Sequence, residues 1–143
     1  MKLSSIRTLL QFALDLEAMT SAFYETAITI TTSEELKALF ETLLIQGQAR
    51  IHSLIEFQQQ LSPSLLDEEG APIESEEFRP KTECPPGCPD TKLLQLASAM
   101  EELVANYYST VSNQIVYLED FPDIFDQLED SHFQIIKKLQ TAG

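Results

Sequence analysis

The sequence predicts an all-α protein, a four-helix bundle made of two helix hairpins joined by one long crossover. Apolar side chains recur at three- and four-residue steps over four stretches, as one face of an α-helix requires. The breaks inside each pair of stretches are short, whereas residues 62–90 separate the two pairs. The first stretch is also echoed in the third.

Residues 4–30 form the first helix: Ile6, Leu10, Ala13, Tyr24 and Ala27 fall at helical spacing, and Ser4 or Ser5 suits its N-cap. Thr31-Thr32-Ser33 breaks that run. Ser33 opens a second helix over 33–61, with Glu34 and Glu35 in the first turn, where the helix dipole favours negative charge. A third helix over 91–119 starts from Asp90 or Thr91 as N-cap. Pro122 interrupts it, and a fourth follows over 123–139. The crossover carries Pro63, Gly70, Pro72, Pro80, Pro85, Pro86, Gly87 and Pro89, and its acidic step Asp67-Glu68-Glu69 marks a stretch open to disorder.

A chain of 143 residues suits a single domain over 1–143 with a sizeable core. Nine basic against twenty-three acidic side chains give a formal charge of −14, which argues against a nucleic-acid partner, because phosphate binding needs a basic footprint. Such a surface concentrates cations, or simply keeps the protein soluble. No stretch is apolar for long enough to span a membrane, and Arg7, Asp15 and Glu17 break the N-terminal run that a secretory signal would need. The expectation is a cytoplasmic protein.

The echo pairs the first and third helices. Ala13, Glu17, Phe23 and Tyr24 recur as Ala97, Glu101, Tyr107 and Tyr108 at the same spacing, so 17 corresponds to 101 and 24 to 108. Two similar hairpins, neither able to bury its own apolar face, would pack into one core. Periodicity then sorts the acids. Glu17 lies in the row Ile6, Leu10, Ala13, Thr20, Tyr24, Ala27, and Glu101 in the row Leu94, Ala97, Val104, Tyr108, Val111, Ile115. Glu102 lines up instead with Gln95, Ser98, Asn106 and Ser109, a polar face. In the fourth helix Phe125, Glu129, His132, Ile136 and Leu139 form the inward row. An isolated carboxylate in a core needs a cation or a donor beside it. With no inward lysine or arginine identified, a divalent metal is the expected counter-charge. Histidine three residues after glutamate puts both groups on one side of the helix.

These pieces, Leu16-Glu17 with Phe23-Tyr24, His52, Met100-Glu101 with Tyr107-Tyr108, and Glu129-Asp-Ser-His132, resemble the ferritin-like superfamily, and within it the rubrerythrin-type di-iron carboxylate domains. The resemblance spans residues 6–139 apart from the crossover. It implies Glu17 and Glu101 as terminal ligands, Glu129 as a bridge between metals, and His52 and His132 each on one metal. Tyr24 and Tyr108 would lie just outside the ligands. The implied cofactor is iron, one or two ions per chain, with other divalent transition metals as alternatives. The implied chemistry is iron handling or peroxide and oxygen redox, with a homodimer as the assembly. If the chain is an enzyme, it is a di-iron-type oxidoreductase, a peroxidase or ferroxidase. One departure stands out: the family's second-helix glutamate would fall three residues before His52, where this chain has Ala49. That points to an asymmetric site, or to a vestigial one in a non-catalytic bundle serving interaction or assembly. Glu56, one turn from His52, is a further candidate donor.

Cys84-Pro-Pro-Gly-Cys88 lies in the crossover. One pair of cysteines is too few for a rubredoxin-type centre. A local disulfide, a redox switch, half of a metal site shared with a second subunit, and a rigid turn with incidental thiols all remain open. Met19 and Met100 are expected to fill gaps in the core.

Overall fold

The computed structural model of the protein describes residues 1–85, 87–115 and 121–142. Strand β1 (Lys2–Ser5) leads into helix α1 (Ile6–Ile30), followed by α2 (Glu34–Gln59), the short α3 (Pro63–Leu66), β2 (Glu69–Glu74) and a 3-10 turn (Ser75–Phe78). Helices α4 (Asp90–Gln114) and α5 (Phe121–Ala142) complete the chain. The long helices pack as the hairpins α1–α2 and α4–α5, giving the expected four-helix bundle with a long crossover.

Caps explain the helix starts. The Ser5 hydroxyl accepts from the Thr8 N–H at 3.2 Å and Thr8 Oγ1 accepts from the Ser5 N–H at 3.1 Å, a reciprocal capping box. Ser33 caps α2 by accepting from the Leu36 N–H at 3.2 Å. Helix α4 differs from expectation: Pro89 stands at the cap position with no side-chain cap, and Asp90 is already helical, accepting instead from Thr31 Oγ1 at 2.7 Å. Pro122 does not break α5 but sits in its first turn, where a missing N–H costs no helical bond. The end expected for the third helix, at 119, lies outside the described residues.

The acidic step of the crossover, open to disorder by its sequence, is structured because the strand that begins there pairs with the N-terminus. β1 and β2 are antiparallel, with Leu3 opposite Ile73 and both buried. Arg7 Nε donates to Asp67 Oδ1 at 3.0 Å, so the acidic step is tied down too. Phe78 then packs edge-on against Tyr107 at 5.5 Å between ring centroids. Cys84 and Cys88 are joined as a disulfide within this segment, which selects one of the open alternatives.

Two apolar layers fill the bundle. One contains Leu10, Leu16, Leu54, Val104, Tyr108 and Phe125, and the other Phe23, Phe40, Leu43, Ala97, Met100 and Ile135. Between them, at one level of the bundle, each long helix contributes one ionisable residue: Glu17, Arg50, Glu101 and His132. The inward row of α2 is Leu36, Phe40, Leu43, Gly47, Arg50 and Leu54.

Gly47 allows close packing of α2 there. A Cβ at this position would meet Ser21 Oγ at 3.1 Å and Arg50 Nη2 at 3.5 Å. Ser21 Oγ has no hydrogen-bond partner among the described residues, so it is free to rotate aside. Gly47→Ala is therefore expected to stabilise by up to about 1 kcal/mol through helix propensity. Urea midpoints check this, and a fall in stability would show that the Ser21 contact is rigid.

Candidate functional site

The ionisable layer is a closed network. Arg50 Nε donates to Glu17 Oε1 at 2.8 Å, and Arg50 Nη1 donates to Ser131 Oγ at 3.3 Å. His132 Nε2 meets Glu17 Oε2 at 2.7 Å, and its Nδ1 meets Glu101 Oε2. Tyr108 Oη donates to Glu17 Oε2 at 2.6 Å, and Tyr24 Oη donates to Glu101 Oε1 at 2.6 Å. Glu17, Glu101 and His132 are 0% exposed and Arg50 is 7% exposed.

Both ring nitrogens of His132 face carboxylate oxygens, and only the imidazolium can donate from both. Burial alone would lower its pKa, but Glu17 and then Glu101 outweigh that and raise it to about 9. Burial would likewise raise the Glu17 carboxyl, yet His132 and Arg50 hold it down at about 2. Burial opposes the charge on Arg50, and the adjacent Glu17 overrides it, keeping its pKa above the usual value. Tyr24 and Tyr108 are pushed well above 10 by burial and by the carboxylates they serve, so both remain hydrogen-bond donors. Two carboxylates against one guanidinium and one imidazolium leave the layer formally neutral.

The sequence candidates separate. Glu17, Glu101 and His132 come together, with Tyr24 and Tyr108 on the carboxylates. His52 does not join them: its side chain is 74% exposed and its Nε2 lies 2.9 Å from Glu56 Oε1 on the surface. Ala49 is exposed as well, because the inward register of α2 falls on 47, 50 and 54. Glu129 is half-buried, on the flank of a buried row that runs Phe125, Leu128, His132, Ile135 and Leu139. The rows 125-129-132-136-139 and 125-128-132-135-139 share three members and each adds an isoleucine, so the second takes the core by offering Leu128 in place of Glu129. The expectation that no arginine or lysine faces inward is corrected by Arg50. Its signal was present in the four-three spacing of the α2 row.

These donors do not fit a two-metal centre. The guanidinium of Arg50 puts a fixed positive charge against Glu17. The position one turn on that would complete a Glu-x-x-His step, 53, is Ser53. The two nitrogens of His132 point to different carboxylates from opposite sides of one ring, so the three donors do not converge on a point. Among the described residues no group of three or more His, Cys, Asp or Glu side chains is arranged to hold a metal ion. No described helix is long and apolar enough to cross a membrane.

No family model matches the chain, and no curated protein matches it. Among solved structures it is similar to one described as a dodecameric thioferritin, the bacterioferritin-related protein from Bacteroides fragilis. The TM-score is 0.71 at 16% sequence identity, covering 96% of this chain and 84% of that one. At this identity the likeness is one of fold: the chain has the ferritin-like architecture.

Proposed function

We propose that this chain is a ferritin-fold bundle whose core charges are balanced by its own side chains, and that it acts as a non-catalytic interaction or assembly module. One observation carries the reading: Arg50 and His132 together neutralise Glu17 and Glu101 inside the core, where the resemblance to rubrerythrin-type domains leads one to expect metal. A divalent ion placed in this layer would leave it with two excess positive charges, and with one even if His132 lost its proton. Support for assembly comes from the exposed Ile45 and Phe133, 66% and 41% accessible, and from the dodecameric state of the thioferritin that shares the fold.

The test is metal uptake. Anaerobic Fe(II) titration of the purified chain is expected to show no stoichiometric binding. Arg50→Glu removes the guanidinium and adds a third carboxylate to the layer beside His132, and this variant is expected to acquire iron. Stoichiometric iron in the unaltered chain overturns the reading.

A second reading is favoured by the meeting of Glu17, Glu101 and His132. It holds a single iron ion on these three, with His132 deprotonated and released from one carboxylate. The chain would then belong with iron-handling or peroxide-linked proteins of rubrerythrin type. Elemental analysis separates the two readings directly.

A further inference from the structure

On the outer side of the ionisable layer, a cleft of about 470 Å³ lies between α2 and α5. Its volume falls in the range of roughly 300–1,000 Å³ typical of small-molecule sites. The charges around it are the opposite of the chain's. In a protein of net charge −14, the described residues lining this cleft include Arg50 and Lys138 and no acidic side chain. Of the α5 acids, Asp123, Asp126, Glu129 and Asp130, none lines the cleft. At physiological ionic strength fields decay over about 8 Å, so the lining, more than the distant net charge, sets the potential a ligand meets.

Arg50 suits a second acceptor. A guanidinium carries five N–H donors. One goes to Glu17 and one to Ser131, while Nη2 is buried without a hydrogen-bond partner among the described residues. Ser131 accepts from Arg50 and keeps its own O–H to donate. Lys138 is exposed and makes no ion pair among the described residues. Beyond this positive end the wall turns apolar at Leu128 and Ile124.

We infer that the α2–α5 cleft binds a small amphipathic carboxylate. Its head is held by Arg50, Lys138 and Ser131, and its short apolar chain lies along Leu128 and Ile124. This goes beyond the module reading and rests on it only in keeping Arg50 paired with Glu17.

The probe is octanoate, titrated calorimetrically into the full chain, with octan-1-ol as the uncharged control. Saturable one-to-one binding with a Kd below about 1 mM is expected, and octan-1-ol should bind at least about ten-fold more weakly. Lys138→Glu lies on the surface and should weaken octanoate about five-fold. Ala49→Trp fills the cleft from its exposed wall and should abolish binding with the fold intact by circular dichroism. No saturable octanoate binding overturns the inference. So does equal affinity for the alcohol, or binding that survives Ala49→Trp. A dimer that Ala49→Trp dissociates, with octanoate ignored, would assign the cleft to a second copy and also overturn it. Iron uptake is scored separately, so failure of the metal-free reading and failure of this one are distinguishable.

Discussion

Arg50→Met is expected to destabilise the protein by about 3–5 kcal/mol at pH 7, the usual penalty for leaving one member of a buried ion pair without its partner. Glu17 would keep His132 and Tyr108, but the layer would carry an uncompensated negative charge in a site that excludes water. Loss of packing along the guanidinium stem adds a smaller amount. Two companion measurements isolate the charge. Glu17→Gln placed together with Arg50→Met removes both members of the pair, and most of the lost stability should return. Lowering the pH should also rescue Arg50→Met in part, because protonating a core carboxyl restores neutrality. Denaturant midpoints for the four members of this cycle, taken at two pH values, are the check. A double variant no more stable than Arg50→Met would show that the pair is not coupled.

The unaltered protein should lose stability in mild alkali. The folded-state pKa of His132, about 9, lies above the ordinary 6.5, so its protonated form favours the folded chain. That contribution is complete below 6.5 and is lost as pH rises through about 9. Its size is about 3 kcal/mol. Glu17 reports the same contact from the other partner. Its pKa is held at about 2 against an ordinary 4.5, so its share is present above 4.5 and lost as pH falls through about 2. The two figures describe one shared interaction and are not summed. Urea denaturation across pH 6 to 10 should reveal the alkaline slope, and His132→Gln should flatten it. A His132 ring that titrates near its ordinary value by NMR would contradict the bridged imidazolium.

Most of the bundle was legible because helix periodicity is a long-range signal. The rows through Glu17 and Glu101 needed only apolar neighbours on both sides to mark those carboxylates as buried. Arg50 sits in a row of the same quality, between Gly47 and Leu54. Even in such a row arginine is a weak marker of burial, because its long stem so often carries the charge from an apolar surface to solvent. His52 carries the opposite signal: Gln48, Glu56 and Gln59, at four and seven residues along its own strip of α2, are polar and exposed, which marks that strip as a solvent face. Pairing of β1 with β2 was not legible, since a four-residue strand whose partner lies some seventy positions away leaves no local pattern. The disulfide was one of several readings of a short Cys spacing until the backbone brought the two Cα atoms to 5.9 Å.

The tyrosine bonds run crosswise. Tyr24 of the first hairpin serves Glu101 of the second, and Tyr108 of the second serves Glu17 of the first. Each hairpin pairs its own charges, Glu17 with Arg50 and Glu101 with His132, but neither holds the phenol that its carboxylate accepts from. Separating them breaks both phenol bonds and the contact of His132 with Glu17 at once, so the intermediate with one half intact is penalised along with the fully open chain. Reciprocal debt of this kind makes the bundle open as a single cooperative block.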